Sequence, residues 1–198
     1  AKNGELNQLK AKAVVMATGG WVNRNVLKDL PSEYHGAYGK FGHSPVLVAN
    51  VALTNWRFLE RLGVSAAIWP EGFGFTCNIR RPMIVDGKSQ PLHPDKPIVL
   101  TFYTPIFKPG LERKEQGAVG RAELLSTSFT DYERQIREQM TIMFSAGGFD
   151  PAKDIAGIIL NRWGHAYVNP DLGFMFGADG NIAPPDVIRE PYGRIAIG

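Results

Sequence analysis

The apolar positions of the chain fall into short runs separated by glycine and proline. Within 11–18, Val14, Val15 and Met16 form a run stopped by Gly19-Gly20, the shape of a strand entering a crossover of an α/β sheet. The polar segment 1–9, with Asn3-Gly4, predicts a hairpin turn leading into it. Residues 24–30 predict a short helix closed by Pro31, and the glycines of 32–43 predict loop. Ser44-Pro45 carries an N-cap followed by a first-turn proline. The apolar run through Val46, Leu47, Val48, Val51, Leu53 and Phe58 then predicts one long buried helix to Leu62, with Gly63 as its C-cap. Residues 64–107 read as strands broken by prolines and glycines, 98–103 being the clearest, and 108–120 as a charged loop. A second helix starts at Ser128, with Asp131 three residues on and Phe129, Tyr132, Ile136, Met140 and Met143 along one face, and ends at Gly147-Gly148.

The stretch 155–177 breaks these patterns. It opens as a buried strand through Ile155, Ile158, Ile159 and Leu160. It then turns to Arg162, Trp163, His165, Tyr167, Asn169 and Asp171, set among glycines that let a ligand approach the backbone. Such a mixture suits a pocket wall for a flat cofactor, whereas an ordinary strand followed by an aromatic-rich turn would have the same composition. The last run, 193–198, reads as a strand beginning at Gly193.

The totals narrow the classes. A chain of 198 residues, 44% of them hydrophobic, suffices for one substantial core or for part of a larger protein. A net charge of +3, nowhere concentrated, gives no nucleic-acid footprint. One cysteine, Cys77, excludes an internal disulfide framework and a cysteine-based zinc site. Neither a signal peptide nor a membrane span is predicted, because Asn50, Thr54, Asn55, Arg57, Glu60 and Arg61 interrupt the longest apolar run. Compartment and oligomeric state stay open.

Three motifs in order, Val-Val-Met-Ala-Thr-Gly-Gly at 14–20, Arg-Trp-Gly-His at 162–165 and Gly-Arg-Ile at 193–195, resemble the C-terminal part of the FAD-dependent amine oxidoreductases. Within that family the resemblance is nearest to bacterial spermidine dehydrogenases and is densest over 123–167. It implies an α/β fragment of a larger flavoprotein, in which strands of a two-dinucleotide-type FAD-binding domain flank an α+β substrate domain. On that reading 1–31 belongs to the FAD-binding domain, 32–154 to the substrate domain, and 155–198 returns to the FAD-binding domain. The phosphate-binding Gly-x-Gly-x-x-Gly is absent: Gly72-Phe73-Gly74 is followed by Phe75, Thr76 and Cys77. The pyrophosphate site is therefore expected on a segment N-terminal to these residues, and the fragment alone is expected to be inactive.

The resemblance implies removal of hydride from a carbon beside an amine nitrogen, with a polyamine such as spermidine as substrate. It assigns FAD contacts to Ala17, Thr18, Gly19, Gly20, Trp163, Gly173, Phe174, Gly193, Arg194 and Ile195. Trp163, His165 and Tyr167 are the candidate catalytic residues. Each also has a plain structural reading: core aromatic for Trp163 and Tyr167, satisfied structural histidine for His165. Glu71, Asp86, Asp131 and Asp171 are the carboxylates available to a polycation. Haem b is implied as a second cofactor, with His43 as the candidate axial ligand. Two alternatives remain: a flavin oxidoreductase of another substrate class, and a non-enzymatic α/β binding domain.

Overall fold

The computed structural model describes residues 3–197, in the order β1 (Val14–Met16), α1 (Gly20–Val26), α2 (Ser32–Tyr38), β2 (Gly42–Leu53), α3 (Arg57–Leu62), β3 (Ala66–Ile68), β4 (Thr76–Arg80), β5 (Ile98–Pro105), α4 (Arg113–Ser126), α5 (Phe129–Phe144), α6 (Pro151–Asp154), β6 (Ile155–Asn169), α7 (Pro184–Arg189) and β7 (Ile195–Ile197). Packing divides the chain into two units, one running to Gly42 and resuming at Val168, the other spanning His43–Tyr167. The fold class is α/β.

In the first unit β1 and β7 pair in parallel, Val14 opposite Ile195 and Met16 opposite Ile197. Leu30, Tyr34, Tyr38 and Ile197 form its core, with Met16 and Ile188 packed against it. The expected turn at Asn3-Gly4 is present, both residues having positive φ, at 58° and 80°. The helix expected over 24–30 instead starts at the glycine pair and ends at Val26, and Pro31 caps a further helix where loop was expected. That helix, α2, forms because Tyr34, Ala37 and Tyr38 bury one face. Gly198 lies outside the described residues.

The second unit is a five-stranded sheet in the order β3-β4-β5-β2-β6. The long helix expected from Ser44 to Leu62 does not exist. Residues Gly42–Leu53 are the strand β2, antiparallel to β5 with Leu47 opposite Thr104 and Leu53 opposite Ile98. Only Arg57–Leu62 is helical, closed as expected by Gly63 with φ 68°. Pro45 is tolerated near the start of β2, one residue ahead of the Val46–Pro105 register, where its carbonyl still accepts from the Ile106 N–H and its missing N–H removes one bond at the end of the ladder. The loop expected over 108–120 is largely the helix α4. The helix starting at Ser128 is found as expected: the Ser128 hydroxyl accepts from the Asp131 N–H, and Gly148 ends the following turn with φ 85°.

Strand alternation sorts the sheet into two faces. Leu47, Ala49, Val51 and Leu53 of β2, with Leu100 and Phe102 of β5, point toward the helices and meet Phe58, Leu59, Leu124, Ile136, Met140 and Phe144. Cys77 is on this side, 1% exposed, and burial pushes its thiol up to about 12. It therefore stays a protonated packing group at neutral pH, unsuited to covalent attachment of a cofactor. The strand β6 is not the buried strand expected from Ile155 to Leu160. It lies at the sheet edge, where Ile155 is buried but Ile159 is 66% exposed.

Candidate functional site

The face of the sheet turned away from the helices has a different chemistry. Strand register puts Thr76, Asn78 and Arg80 of β4 opposite Tyr103, Thr101 and Val99 of β5, and these opposite Val48, Asn50 and Ala52 of β2. None of these residues belongs to the buried apolar clusters. A polar network crosses the strands instead. Arg80 Nε donates to Thr101 Oγ1 at 3.0 Å, Thr101 Oγ1 donates to Asn50 Oδ1 at 2.7 Å, and Arg80 Nη2 donates to the Tyr103 hydroxyl at 2.8 Å. The guanidinium carbon lies 5.7 Å from the centre of the Tyr103 ring. The Asn78 amide oxygen is buried on the same face with no hydrogen-bond partner among the described residues.

Beside this network, toward β6, is a hollow of about 430 Å³ lined by Val46, Val48, Tyr103, Asn161, Trp163, Ala166 and Tyr167. Trp163 is 57% exposed and Tyr167 59%. Two large aromatic side chains left this open on an edge strand contribute little to the core, which disfavours the plain core reading of both. The lining of the hollow holds no Asp, Glu, Lys, Arg or His.

His165 does not line that hollow. Its ring stands edge-on to that of His43, 5.6 Å between centroids. Arg121, from α4, donates toward the carbonyls of His43 and Gly164. Burial, then the Arg121 charge, then His43 lower the His165 pKa, so the imidazole is neutral at pH 7. On its other flank β6 sends Arg162 over the Tyr132 ring, 5.3 Å away, with Nη1 donating to the Leu125 carbonyl.

The remaining candidate residues lie in the first unit. Ala17, Thr18 and Gly19 connect β1 to α1, where the Thr18 hydroxyl bonds the Asn23 side chain, itself 1% exposed. Ile195 pairs with Val14, and the Val14 N–H donates to the Arg194 carbonyl. Phe174 is buried edge-on against Phe41 at 4.8 Å. With Gly173 it borders a hollow of about 400 Å³ that also includes Lys40 and Asp171. Between Gly72 and Gly74, in the second unit, the Phe73 backbone is taken up internally: Gln139 accepts from the Phe73 N–H, and Trp69 donates to the Phe73 carbonyl. No helix among the described residues is long and apolar enough to cross a membrane.

The residues that sequence reasoning missed are Arg80, Asn78, Thr101, Tyr103 and Asn50. In sequence Asn50 reads as a polar break in a helix. The signal available for Thr101 and Tyr103 is the alternation of 98–103, which places both on one side of a strand.

No family model matches the chain, and no curated protein does. Solved structures do match. Cyclohexylamine oxidase from Brevibacterium oxydans has a TM-score of 0.62 at 13% identity, over 96% of this chain and 37% of that one. A putrescine oxidase, wild type bound to putrescine, has a TM-score of 0.56 at 15% identity, over 94% of this chain and 36% of that one. A triple mutant from a redesign of cofactor binding in putrescine oxidase has a TM-score of 0.59 at 14% identity, over 94% of this chain and 36% of that one. The chain thus shares its fold with a little over a third of each of these amine oxidases.

Proposed function

We propose that this chain is part of an FAD-dependent enzyme that oxidises a C–N bond of an amine. The observation that carries the reading is the open aromatic hollow of Trp163, Tyr167 and Tyr103, on a fold shared with enzymes named for amine oxidation.

The residues present fit a flat cofactor in one respect: Trp163 and Tyr167 leave exposed ring faces that a planar group would cover. Ala17, Thr18, Gly19, Gly20, Gly173, Phe174, Gly193, Arg194 and Ile195 are the further residues proposed to hold FAD. The pyrophosphate needs an additional cradle, because the one Gly-x-Gly of the chain, Gly72-Phe73-Gly74, lacks the fingerprint's third glycine and has its Phe73 backbone already committed. When bound, FAD supplies the acceptor for the hydride.

The chain's own residues account for substrate handling. The rings of Tyr103 and Tyr167, with the part of Trp163 that a planar group leaves uncovered, attract an ammonium by cation–π contact. His165, neutral at pH 7, is available to take a proton, though the ring lies against His43 and outside the hollow. We assign it to positioning of the β6 edge in preference to proton transfer. His43 has the same packing environment, so the reading does not extend to haem. The hollow gives no carboxylate to a polyamine: Glu71, Asp86, Asp131 and Asp171 do not line it, Asp131 is engaged by Ser128 and Arg134, and Asp171 borders the hollow of the first unit.

The test is an anaerobic visible spectrum of the flavin-loaded enzyme before and after addition of a primary alkylamine. Bleaching of the flavin band is expected. A band that stays oxidised with every amine removes amine oxidation and leaves a flavin enzyme of another substrate class. Absence of any flavin band returns the chain to the binding-domain alternative.

A further inference from the structure

We propose that Arg80 receives a carboxylate at the far end of the amine substrate, so that the enzyme acts on aminoalkanoates in preference to diamines. The proposal rests on the amine-oxidising reading above and narrows its substrate class.

Charge comes first. In β3, β4, β5 and β2, Arg80 is the sole charged side chain that strand register puts on the face away from the helices. The hollow next to it is lined by uncharged residues. A second ammonium would meet a guanidinium with no carboxylate to offset it, whereas an anionic oxygen would gain a charge-assisted bond.

Geometry comes next. Thr101 fixes Nε and Tyr103 fixes one edge of the guanidinium, so Arg80 is held in place before any ligand arrives. These two bonds use Nε and Nη2, which leaves the Nη1 edge for a ligand.

Tyr103 links the two parts of the site, since its hydroxyl accepts from Arg80 and its side chain lines the hollow. A substrate anchored on Arg80 would cross Tyr103 toward Trp163. Arg80 stands on β4, three strand spacings or roughly 14 Å from β6; its side chain crosses one of them to reach the Tyr103 hydroxyl on β5, and the remaining two, roughly 10 Å, fall to a six-carbon aminoalkanoate.

The probes are ω-aminohexanoate, hexane diamine and hexylamine, which share one chain length. Each is scored by anaerobic flavin reduction with the wild type, Arg80→Gln and Arg80→Lys. Hexanoate binding, followed by calorimetry, supplies a readout that needs no oxidation. The wild type is expected to prefer ω-aminohexanoate over the diamine by about tenfold or more in kcat/KM. Arg80→Gln should raise KM for ω-aminohexanoate about tenfold more than KM for hexylamine and abolish hexanoate binding, with Arg80→Lys restoring part. Preference for the diamine, or equal effects of Arg80→Gln on both amines, overturns the proposal. If no amine bleaches the flavin yet hexanoate binding depends on Arg80, carboxylate recognition stands and amine oxidation falls.

Discussion

The imidazoles of His43 and His165 stand edge to face, with ring planes at 69°, where β2 and β6 lie side by side. Arg121 adds a positive charge near the pair through its bonds to the His43 and Gly164 carbonyls. A proton placed on His165 would sit in a half-buried site facing a cation. Its folded pKa is lowered below the ordinary 6.5, by burial first and then by Arg121 and His43. The unfolded chain therefore binds that proton more readily than the folded one. The stabilisation is complete above about pH 6.5 and drains away as pH falls through the lowered folded value. Thermal unfolding recorded down this pH range should show a loss that His165→Gln reduces. An unchanged pH dependence in His165→Gln would sink the assignment.

How much of the fold and site is legible in the sequence depends on whether one signal dominates locally. The caps at Ser128 and Gly63 are readable because a hydroxyl or a left-handed glycine has few other local uses. The strand β2 reads as helix because Val46-Leu47-Val48-Ala49-Asn50-Val51 is apolar almost throughout, so the period of two shows only in burial. Ser44-Pro45 supplies a false helix start. Trp163 and Tyr167 stand out in sequence for their mixture of residue types and are found on one hollow. Arg80 is invisible there because its meaning comes from strand neighbours 21 and 23 residues away, Thr101 and Tyr103.

The helix α4 is hidden by the residues that let it pack. A Cβ at Gly117 would come within 2.8 Å of the His43 carbonyl oxygen, and one at Gly120 within 2.9 Å of the Ile106 carbonyl oxygen. Both obstacles are backbone, which yields poorly. Gly117→Ala and Gly120→Ala should each destabilise by about 1–3 kcal/mol, despite alanine's better helix propensity. Gly36 of α2 is the control, because a Cβ added there would meet nothing within 4 Å. Gly36→Ala should therefore stabilise by about 0.5–1 kcal/mol. Urea unfolding of the three variants checks the order. A stabilised Gly117→Ala would show that α4 does not approach β2 this closely.

The buried face of α5 supports the sheet. Met140 is 0% exposed within the main cluster, while Ile142, two residues on, is 77% exposed. Met140→Ala removes a side chain from a filled interior and should cost about 2–5 kcal/mol. Ile142→Ala should fall within about 0.5 kcal/mol of the wild type. Equal midpoints for the two variants in urea would mean that the helix does not present this face to β2 and β5.

Trp163 separates stability from function. With 57% of its surface exposed on an edge strand, its truncation leaves no sealed cavity, so Trp163→Ala should keep the unfolding midpoint within about 0.5 kcal/mol of the wild type. Under the proposed function it should nevertheless raise KM for hexylamine by about tenfold, the scale of one cation–π contact removed from a partly desolvated site. Trp163→Phe retains a ring face and should recover part of that loss. Tyr167→Phe should change little, because the ring and not the hydroxyl is the group invoked. Steady-state flavin reduction by hexylamine in the three variants decides the point. A Trp163→Ala enzyme that unfolds early assigns the side chain to packing, and one with unaltered KM removes it from the amine site.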